Sequence, residues 1–236
     1  MDVKTATDVG QVRENNEDAL WVTASSLVVC DGMGGHVAGE VASELAVKAI
    51  GAFPFSGQDP RSEVLSAIHQ AQEAILAAAE TNQEYRGMGS TITLVWLSEP
   101  SADGQVTLTL GHVGDSRCYI LSQGVLQQLS GDHSVVGELL RSGTITSSEA
   151  RTHPKRHVLT QVLGSPEIDV EIITRDLEPG SLVMLCTDGL TDLVEDALIE
   201  KTLQGDFHSR NLAQELVDLA NESGGVDNVT VVVAKV

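Results

Sequence analysis

Four aspartates stand at the ends of apolar runs that are typical of β-strands. Asp31 follows "SLVVC", Asp115 follows "LTLGHVG", Asp188 follows "LVMLCT", and Asp227 precedes "NVTVVVA". Each acid alone is more often part of an ordinary turn, since Asp-Gly and Gly-Asp pairs favour turns. A sheet places its strand ends side by side, so the four carboxylates could converge. Converging carboxylates repel one another unless cations lie between them.

The stretch "VVCDGMGGH" (28–36) indicates how a metal site could be built around Asp31. Hard ions such as Mg²⁺ and Mn²⁺ prefer oxygen ligands, and Asp31 can offer one oxygen to each of two ions. Gly32 has no side chain, so its carbonyl can approach as a further ligand. The next glycines leave room for a substrate, with His36 at the rim. Two metals about 3.5–4 Å apart are a known device for hydrolysing phosphate esters.

Composition excludes several other classes of protein. The net charge of −20 argues against binding nucleic acid, whose phosphates demand a positive surface. No run of about 18 apolar residues could span a membrane, and the N-terminus lacks the pattern of a secretory signal. Three widely spaced cysteines (Cys30, Cys118 and Cys186) are typical of buried residues in a cytoplasmic protein. Met1 and the apolar last strand indicate a complete chain, although a piece of a longer protein would look similar.

The order of elements predicts a mixed α and β fold with antiparallel sheets. Helices are not interleaved one-for-one with strands, which argues against a doubly wound parallel sheet. Short polar turns separate neighbouring strands. Strands are predicted at 19–23, 26–30, 90–98, 106–113, 117–122, 125–129, 167–174, 181–186 and 228–236. Helices are predicted at 39–52, from Asp59 through Ala79, at 134–141, after a Thr146–Glu149 capping box, and at about 209–222.

Six motifs occur in order: "RENNED" (13–18), "DGMGGH" (31–36), "GMGST" (87–91), "GHVGDSR" (111–117), "DGL" (188–190) and "GGVDNVT" (224–230). The sequence therefore resembles the metal-dependent Ser/Thr protein phosphatases (PPM, or type 2C) in their compact bacterial form. This resemblance implies an α+β fold in which two antiparallel β-sheets form a central sandwich flanked by helices, in four layers α-β-β-α. It also implies a single catalytic domain over 1–236, with a small flap insertion at about 132–165.

The resemblance implies hydrolysis of phosphoserine and phosphothreonine in proteins by a hydroxide that bridges two Mn²⁺ or Mg²⁺ ions. Many bacterial members carry Gln-Asp where this chain has Glu17 and Asp18, which leaves open which of the two serves the second ion. Arg13 matches the arginine that binds phosphate, and its planar fork suits phosphate oxygens. His36 is the candidate general acid for the leaving alkoxide, although a histidine beside glycines is more often a turn residue. The implied metal ligands are Asp31 for both ions, the Gly32 carbonyl as a further ligand, Asp188 and Asp227 for the first ion, Glu17 or Asp18 for the second, and Asp115 with Asp188 for a weaker third.

The implied partners are phosphorylated protein substrates and an opposing bacterial Ser/Thr kinase, with the chain acting as a monomer in the cytoplasm. Two alternatives share the fold: a catalytically weak member that binds phosphoproteins, and a partner-switching regulator. The intact metal-ligand set argues against the first, and a sensor domain would favour the second.

The flap carries an unusual local charge. From residue 141 to 157 there are four bases and one acid, a local charge of +3. This pattern is either a solvated loop or a device that steers anionic phosphoproteins toward the cleft.

Overall fold

The computed structural model describes residues 1–35 and 38–236, without the side chain of Ser147. Its strands in these ranges are β1 (Asp2–Asp8), β2 (Asp18–Val22), β3 (Ser26–Met33), β4 (Gly89–Ser90), β5 (Ile92–Leu97), β6 (Val106–Val113), β7 (Arg117–Ser122), β8 (Val125–Gln128), β9 (Glu171–Leu177), β10 (Leu182–Cys186) and β11 (Val229–Lys235). Its helices there are α1 (Ala38–Ala52), α2 (Pro60–Thr81), α3 (Val135–Arg141), α4 (Ser147–Thr152), α5 (Asp188–Thr191), α6 (Asp196–Leu203) and α7 (Leu212–Glu222), and a 3-10 helix spans Gln83–Tyr85.

The strands form two antiparallel sheets that pack face to face. One sheet has the order β1-β11-β10-β7-β8, and the other has the order β2-β3-β5-β6-β9, with β4 paired to β3. Aliphatic side chains from both inner faces form the core between the sheets. It includes Leu27, Val29, Leu108, Leu110, Val183, Leu185 and Val232.

Helices cover both outer faces, which completes four layers. α1 and α2 pack on the second sheet through residues spaced three or four apart, such as Ala42, Ala46 and Ile50. The helices α5, α6 and α7 pack on the first sheet in the same way, through Leu190, Ile199 and Leu216 among others. The predicted sandwich of two antiparallel sheets flanked by helices is confirmed.

The bounds or N-terminal caps of several elements agree with the prediction from sequence. β6 and β7 have the predicted bounds, and Asp59 caps α2 by accepting a hydrogen bond from the Ser62 N–H at 3.3 Å. The capping box of Thr146 and Glu149 begins α4.

Other elements differ from prediction. β3 continues past Cys30 through Asp31 to Met33, because Gly32 and Met33 pair with β4. The strand predicted at 167–174 begins only at Glu171, where pairing with His112 of β6 starts. β1, α5 and α6 were not predicted.

The chain between β8 and β9 contains α3 and α4 and includes residues 132–165, the segment for which a flap is predicted. Within the described residues, no helix combines the length and apolar character that crossing a bilayer requires.

Candidate active site

The predicted acids converge on one cleft. It has a volume of about 840 Å³ and is lined by Arg13, Glu17, Asp31, Gly32, Asp115, Asp188 and Asp227, together with flap residues. Antiparallel pairing explains the convergence: Asp18 lies opposite Asp31 in β2 and β3, and β10 pairs with β11, so Asp188 and Asp227 lie at the same end. Asp18 lies beneath the cleft and does not line it. His36 falls outside the described residues.

Asp31 is held by its main chain on β3. Its N–H donates to Thr91 Oγ1 at 2.9 Å, and its carbonyl accepts from the Thr91 N–H at 2.8 Å. Burial raises the pKa of Asp31 well above its usual range, and the nearby charges of Asp18 and Asp188 raise it further. The main chain beside it is tightly packed, since a Cβ on Gly32 would lie 2.1 Å from the Gly39 carbonyl oxygen. Only glycine fits at position 32.

Asp188 begins α5 at the end of β10. Burial, followed by the charges of Asp192 and Asp227, raises the pKa of Asp188 to about 7, while a hydrogen bond with Asp31 opposes the shift. Its Oδ1 is buried and has no hydrogen-bond partner in the described part of the chain. A buried carboxylate oxygen without a donor is costly, so Asp188 fits a position beside a cation.

Asp18 is half-buried and lies behind the cleft. Thr187 Oγ1 donates to its Oδ2 at 2.9 Å, while its Oδ1 has no partner among residues 1–35 and 38–236. Burial raises the pKa of Asp18 to about 7, against the lowering effect of hydrogen bonds from Thr230 and Thr187. Thr187 immediately precedes Asp188, so Asp18 is placed to support that residue from behind.

Glu17, unlike Asp18, reaches the cleft itself. Burial raises its pKa, and the Arg13 charge lowers it. A Cβ on Gly39 would lie 2.7 Å from Glu17 Cδ, so glycine at position 39 makes room for this carboxylate. The Glu17 N–H donates to Asn228 Oδ1 at 2.8 Å, which ties it to the segment that carries Asp227.

Arg13 pairs with Asp227 across the cleft mouth. Its Nη2 lies 2.7 Å from Asp227 Oδ2, and this hydrogen bond raises the pKa of the guanidinium. Arg13 is the one lysine or arginine among the described residues that line the cleft. Its side chain is 51% exposed, so it can reach a ligand in the cleft.

The basic side chains of the flap face acids. Arg151 and Arg156 line a second cavity of about 200 Å³ that shares Asp115 and Asp188 with the cleft. This cavity is also lined by Asp132, Asp192 and Asp196. The local charge of the flap is therefore opposed by the surface it packs on, which weakens any long-range steering.

Four half-buried carboxylates with raised pKa values show whether divalent metal ions would fit in this cleft. Asp18, Asp31, Asp115 and Asp188 repel one another, and two of them keep a buried oxygen without a donor in the described chain. Hard divalent cations would relieve both problems, because they bind carboxylate oxygens and offset their charge. The residues present fit a cluster of divalent ions.

The raised pKa values predict how the metal-free protein responds to pH. The pKa values of Asp18 and Asp188 rise from the ordinary aspartate value of 3.8 to about 7 in the fold. The fold therefore binds more protons than the unfolded chain between these values, and the free energy of unfolding falls as pH rises through this window. In chelator, we expect Tm to fall between about pH 5 and pH 8 in thermal-shift measurements. Added Mn²⁺ should raise Tm more at pH 8, where the ligands are ionised. A Tm that rises with pH in chelator would contradict this.

Several supporting residues were not found from the sequence. Thr91, Thr187, Asn228 and Gly39 hold or accommodate the acids through contacts between distant segments, and Thr187 and Asp18 lie 169 residues apart. Asn228 lies within the motif "GGVDNVT" and Thr91 ends the motif "GMGST", so membership of a motif was the signal available for these two residues. Thr187 and Gly39 lay in no pattern that indicates chemistry.

Known proteins share both this sequence and this fold. The sequence model of the family "Protein phosphatase 2C" matches residues 10–224. The chain is 38% identical to the serine/threonine protein phosphatase PstP of Mycobacterium tuberculosis over 98% of its own length and 44% of that protein. It thus spans less than half of PstP. It is 32% identical to the serine/threonine phosphatase stp of Listeria innocua, over 100% of this chain and 96% of that one.

Solved structures agree with the sequence comparison. The crystal structure of M. tuberculosis PstP superposes with a TM-score of 0.92 at 37% identity, covering 100% of this chain and 98% of that one. The PstP catalytic domain in complex with two manganese ions superposes with a TM-score of 0.90 at 36% identity, covering 99% of this chain and 97% of that one. The fold is that of the PstP catalytic domain, which was solved in complex with two manganese ions. The chain belongs to the protein phosphatase 2C family.

Proposed function

We propose that this protein removes phosphate from phosphoserine and phosphothreonine in other proteins and requires Mn²⁺ or Mg²⁺. The observation that carries the proposal is the cluster of half-buried, mutually repelling carboxylates in a cleft whose one arginine is half-exposed and paired with Asp227. The relatives named serine/threonine phosphatase, and the two manganese ions in the PstP catalytic domain, support it. A phosphoprotein-binding member without turnover is less favoured, because simple binding would not need the carboxylate cluster.

The residues of the cleft would serve as ligands of two core ions and a weaker third. Asp31 would serve both core ions, the Gly32 carbonyl would add a further ligand, and Asp188 and Asp227 would hold the first ion. Glu17 is favoured over Asp18 for the second ion, because Glu17 lines the cleft and Asp18 lies behind it. Asp115 with Asp188 would hold a weaker third ion. When bound, such ions polarise the phosphate and lower the pKa of a coordinated water.

The chain's own groups bind and orient the substrate. Arg13 can present two parallel N–H donors to phosphate oxygens and stabilise the negative charge that they carry during transfer. Asp227 orients the guanidinium through the 2.7 Å contact. The seryl or threonyl oxygen that leaves needs a proton, and His36 remains the predicted donor.

Gly39 gives a direct test of the role of Glu17. Gly39→Ala puts a methyl group where the nearest atoms are the flexible end of Glu17, at 2.7–2.9 Å. Alanine favours the helix that Gly39 lies in, so the fold should be retained. We expect the Mn²⁺ concentration for half-maximal activity to rise roughly tenfold, which is the loss that displacing a ligand's support produces. Gly51→Ala, also in α1 but packed on Trp21, is the control. An unchanged Mn²⁺ requirement would remove Glu17 from the metal site.

Several wider features complete the proposal. The 236 residues would act as one catalytic domain with a flap over 132–165, and a Ser/Thr kinase would oppose it. Exposed large apolar side chains such as Trp21, Leu65 and Val125 come from separate elements, which supports a monomer. The three cysteines are buried and free, which supports the cytoplasm as its location.

The experiment is a phosphatase assay on purified protein with phosphoserine and phosphothreonine peptides. We expect release of phosphate with Mn²⁺ or Mg²⁺ and none with excess chelator. Measuring activity as a function of Mn²⁺ or Mg²⁺ concentration shows which ion supports activity at the lower concentration. Tight binding of the phosphopeptides without release of phosphate would favour the binding-module alternative.

A further inference from the structure

The cleft has one wall that carries little charge. Residues 157–162 of the flap line it as a continuous stretch, and His157 is their single titratable side chain. Arg13, Glu17, Asp31 and Asp227 supply charge elsewhere in the same cleft. This division suits a ligand with a charged phosphate and an uncharged remainder, such as a phosphorylated peptide.

One edge of this wall is already paired within the chain. Leu159 lies opposite Ser134 in an isolated antiparallel bridge. The Val135 N–H donates to the Val158 carbonyl at 2.9 Å, and the Thr160 N–H donates to the His133 carbonyl at 2.8 Å. These two bonds flank Leu159 on both sides. They anchor the wall to the start of the flap.

In this pattern, the N–H and C=O groups of Leu159 point away from the segment that contains Ser134. In an antiparallel pair flanked by such bonds, the facing residues do not bond each other, and their own N–H and C=O groups point away from the partner strand. Within the described residues, neither group of Leu159 has a hydrogen-bond partner. Leu159 is half-buried and lines the cleft, so these groups need a partner that arrives from the cleft side.

We propose that the phosphoprotein substrate binds in an extended conformation, with one of its residues exchanging two main-chain hydrogen bonds with Leu159. This inference rests on the proposed function and adds the form in which the substrate is recognised. Addition of a strand to a free edge is a common mode of peptide binding, in which main-chain bonds give affinity with little demand on sequence. Extended chain advances about 3.3 Å per residue, so the paired residue lies within a few positions of the phosphorylated one.

The side chains beside this edge indicate which neighbours the phosphorylated residue should have. Val158 is 46% exposed and Leu159 and Val162 are half-buried, so the wall offers apolar contact. Acidic neighbours would be repelled by a chain of net charge −20. The preferred substrate is therefore an exposed loop or tail with small or apolar residues around its phosphothreonine.

The test uses a nine-residue phosphothreonine peptide flanked by alanine and valine, methylated at one main-chain nitrogen at a time. Methylation removes a donor and leaves the side chains unchanged. We expect one position to lower kcat/KM by roughly fivefold to tenfold, the size of one net hydrogen bond, and the adjacent positions to matter much less. 4-Nitrophenyl phosphate, which has no peptide main chain, is the reference substrate.

A matched pair of variants tests the protein side. Leu159→Pro removes the N–H of residue 159, and Leu159→Ala keeps both main-chain groups. We expect the ratio of kcat/KM on the peptide to that on 4-nitrophenyl phosphate to fall roughly fivefold more in the proline variant than in the alanine variant.

A flat methylation scan with an active wild type would overturn this inference and leave the proposed function intact. Equal ratios in the two Leu159 variants would overturn it as well. A wild type that hydrolyses neither substrate in Mn²⁺ would overturn the proposed function and this inference with it.

Discussion

Asp188→Asn is expected to lower kcat on a phosphothreonine peptide by roughly a thousandfold, comparable to removing a group that stabilises charge in the transition state. Asparagine keeps the shape of the side chain and removes the charge that would hold the first ion. The same change should stabilise the metal-free protein, because burial raises the pKa of Asp188 to about 7 and its ionised form is unfavourable in the fold. We expect a higher Tm in chelator at about pH 8 together with the loss of activity. A trade-off between stability and activity is common where a functional site contains charges that are unfavourable for folding.

Asp196→Asn is the control for this prediction. Asp196 begins α6, and it lines the second cavity and not the cleft. We expect its kcat to stay within a few-fold of the wild type. If both variants lost activity equally, or if Asp188→Asn lowered the Tm of the metal-free protein, the assignment of Asp188 as a metal ligand would be wrong.

Arg13→Ala is expected to lower kcat/KM by roughly tenfold to a hundredfold, since hydrogen bonds to charged groups contribute about 1.5–3 kcal/mol. Arg13→Lys should recover part of the loss, because lysine keeps the charge and loses the planar fork. Arg13 is the one strong base in the described lining of the cleft, so no neighbour there can replace it. Steady-state kinetics with a phosphothreonine peptide measure both variants.

Arg210 provides a closely matched control for Arg13. It pairs with Glu215 away from the cleft, and the side-chain exposures of this pair, 48% and 31%, resemble the 51% and 33% of Arg13 and Asp227. Loss of a surface ion pair alone costs little. Arg210→Ala should therefore keep its kcat/KM, and an equal loss in both alanine variants would show that Arg13 acts only through stability.

Much of the fold follows from patterns within single segments. β6 and β7 were predicted with their bounds because each is an apolar run between polar turns. β1 was missed because it is an edge strand that pairs only with β11 and alternates with polar residues. α5 spans four residues, too few to show a helical period. The arrangement of the four layers came from the resemblance to a family, since pairing between distant strands leaves no local signal.

The candidate site shows the same limit. The acids at strand ends were predicted to converge because sheets align their strand ends, and they line one cleft. The sequence alone could not separate Glu17 from Asp18, and the proposal favours Glu17 because Glu17 lines the cleft and Asp18 does not. Gly39 could not be recognised as a site residue from the sequence, because it contributes only the space that the Glu17 side chain occupies.

The most direct test measures Mn²⁺ binding by calorimetry and hydrolysis of a phosphothreonine peptide by the wild type and by Asp31→Ala, in Mn²⁺ and in excess chelator. We predict that the wild type binds Mn²⁺ and turns over only when the metal is present. Asp31→Ala should bind Mn²⁺ more weakly and release no phosphate. A wild type that binds Mn²⁺ and hydrolyses nothing, or an Asp31→Ala variant that keeps its turnover, would contradict the account.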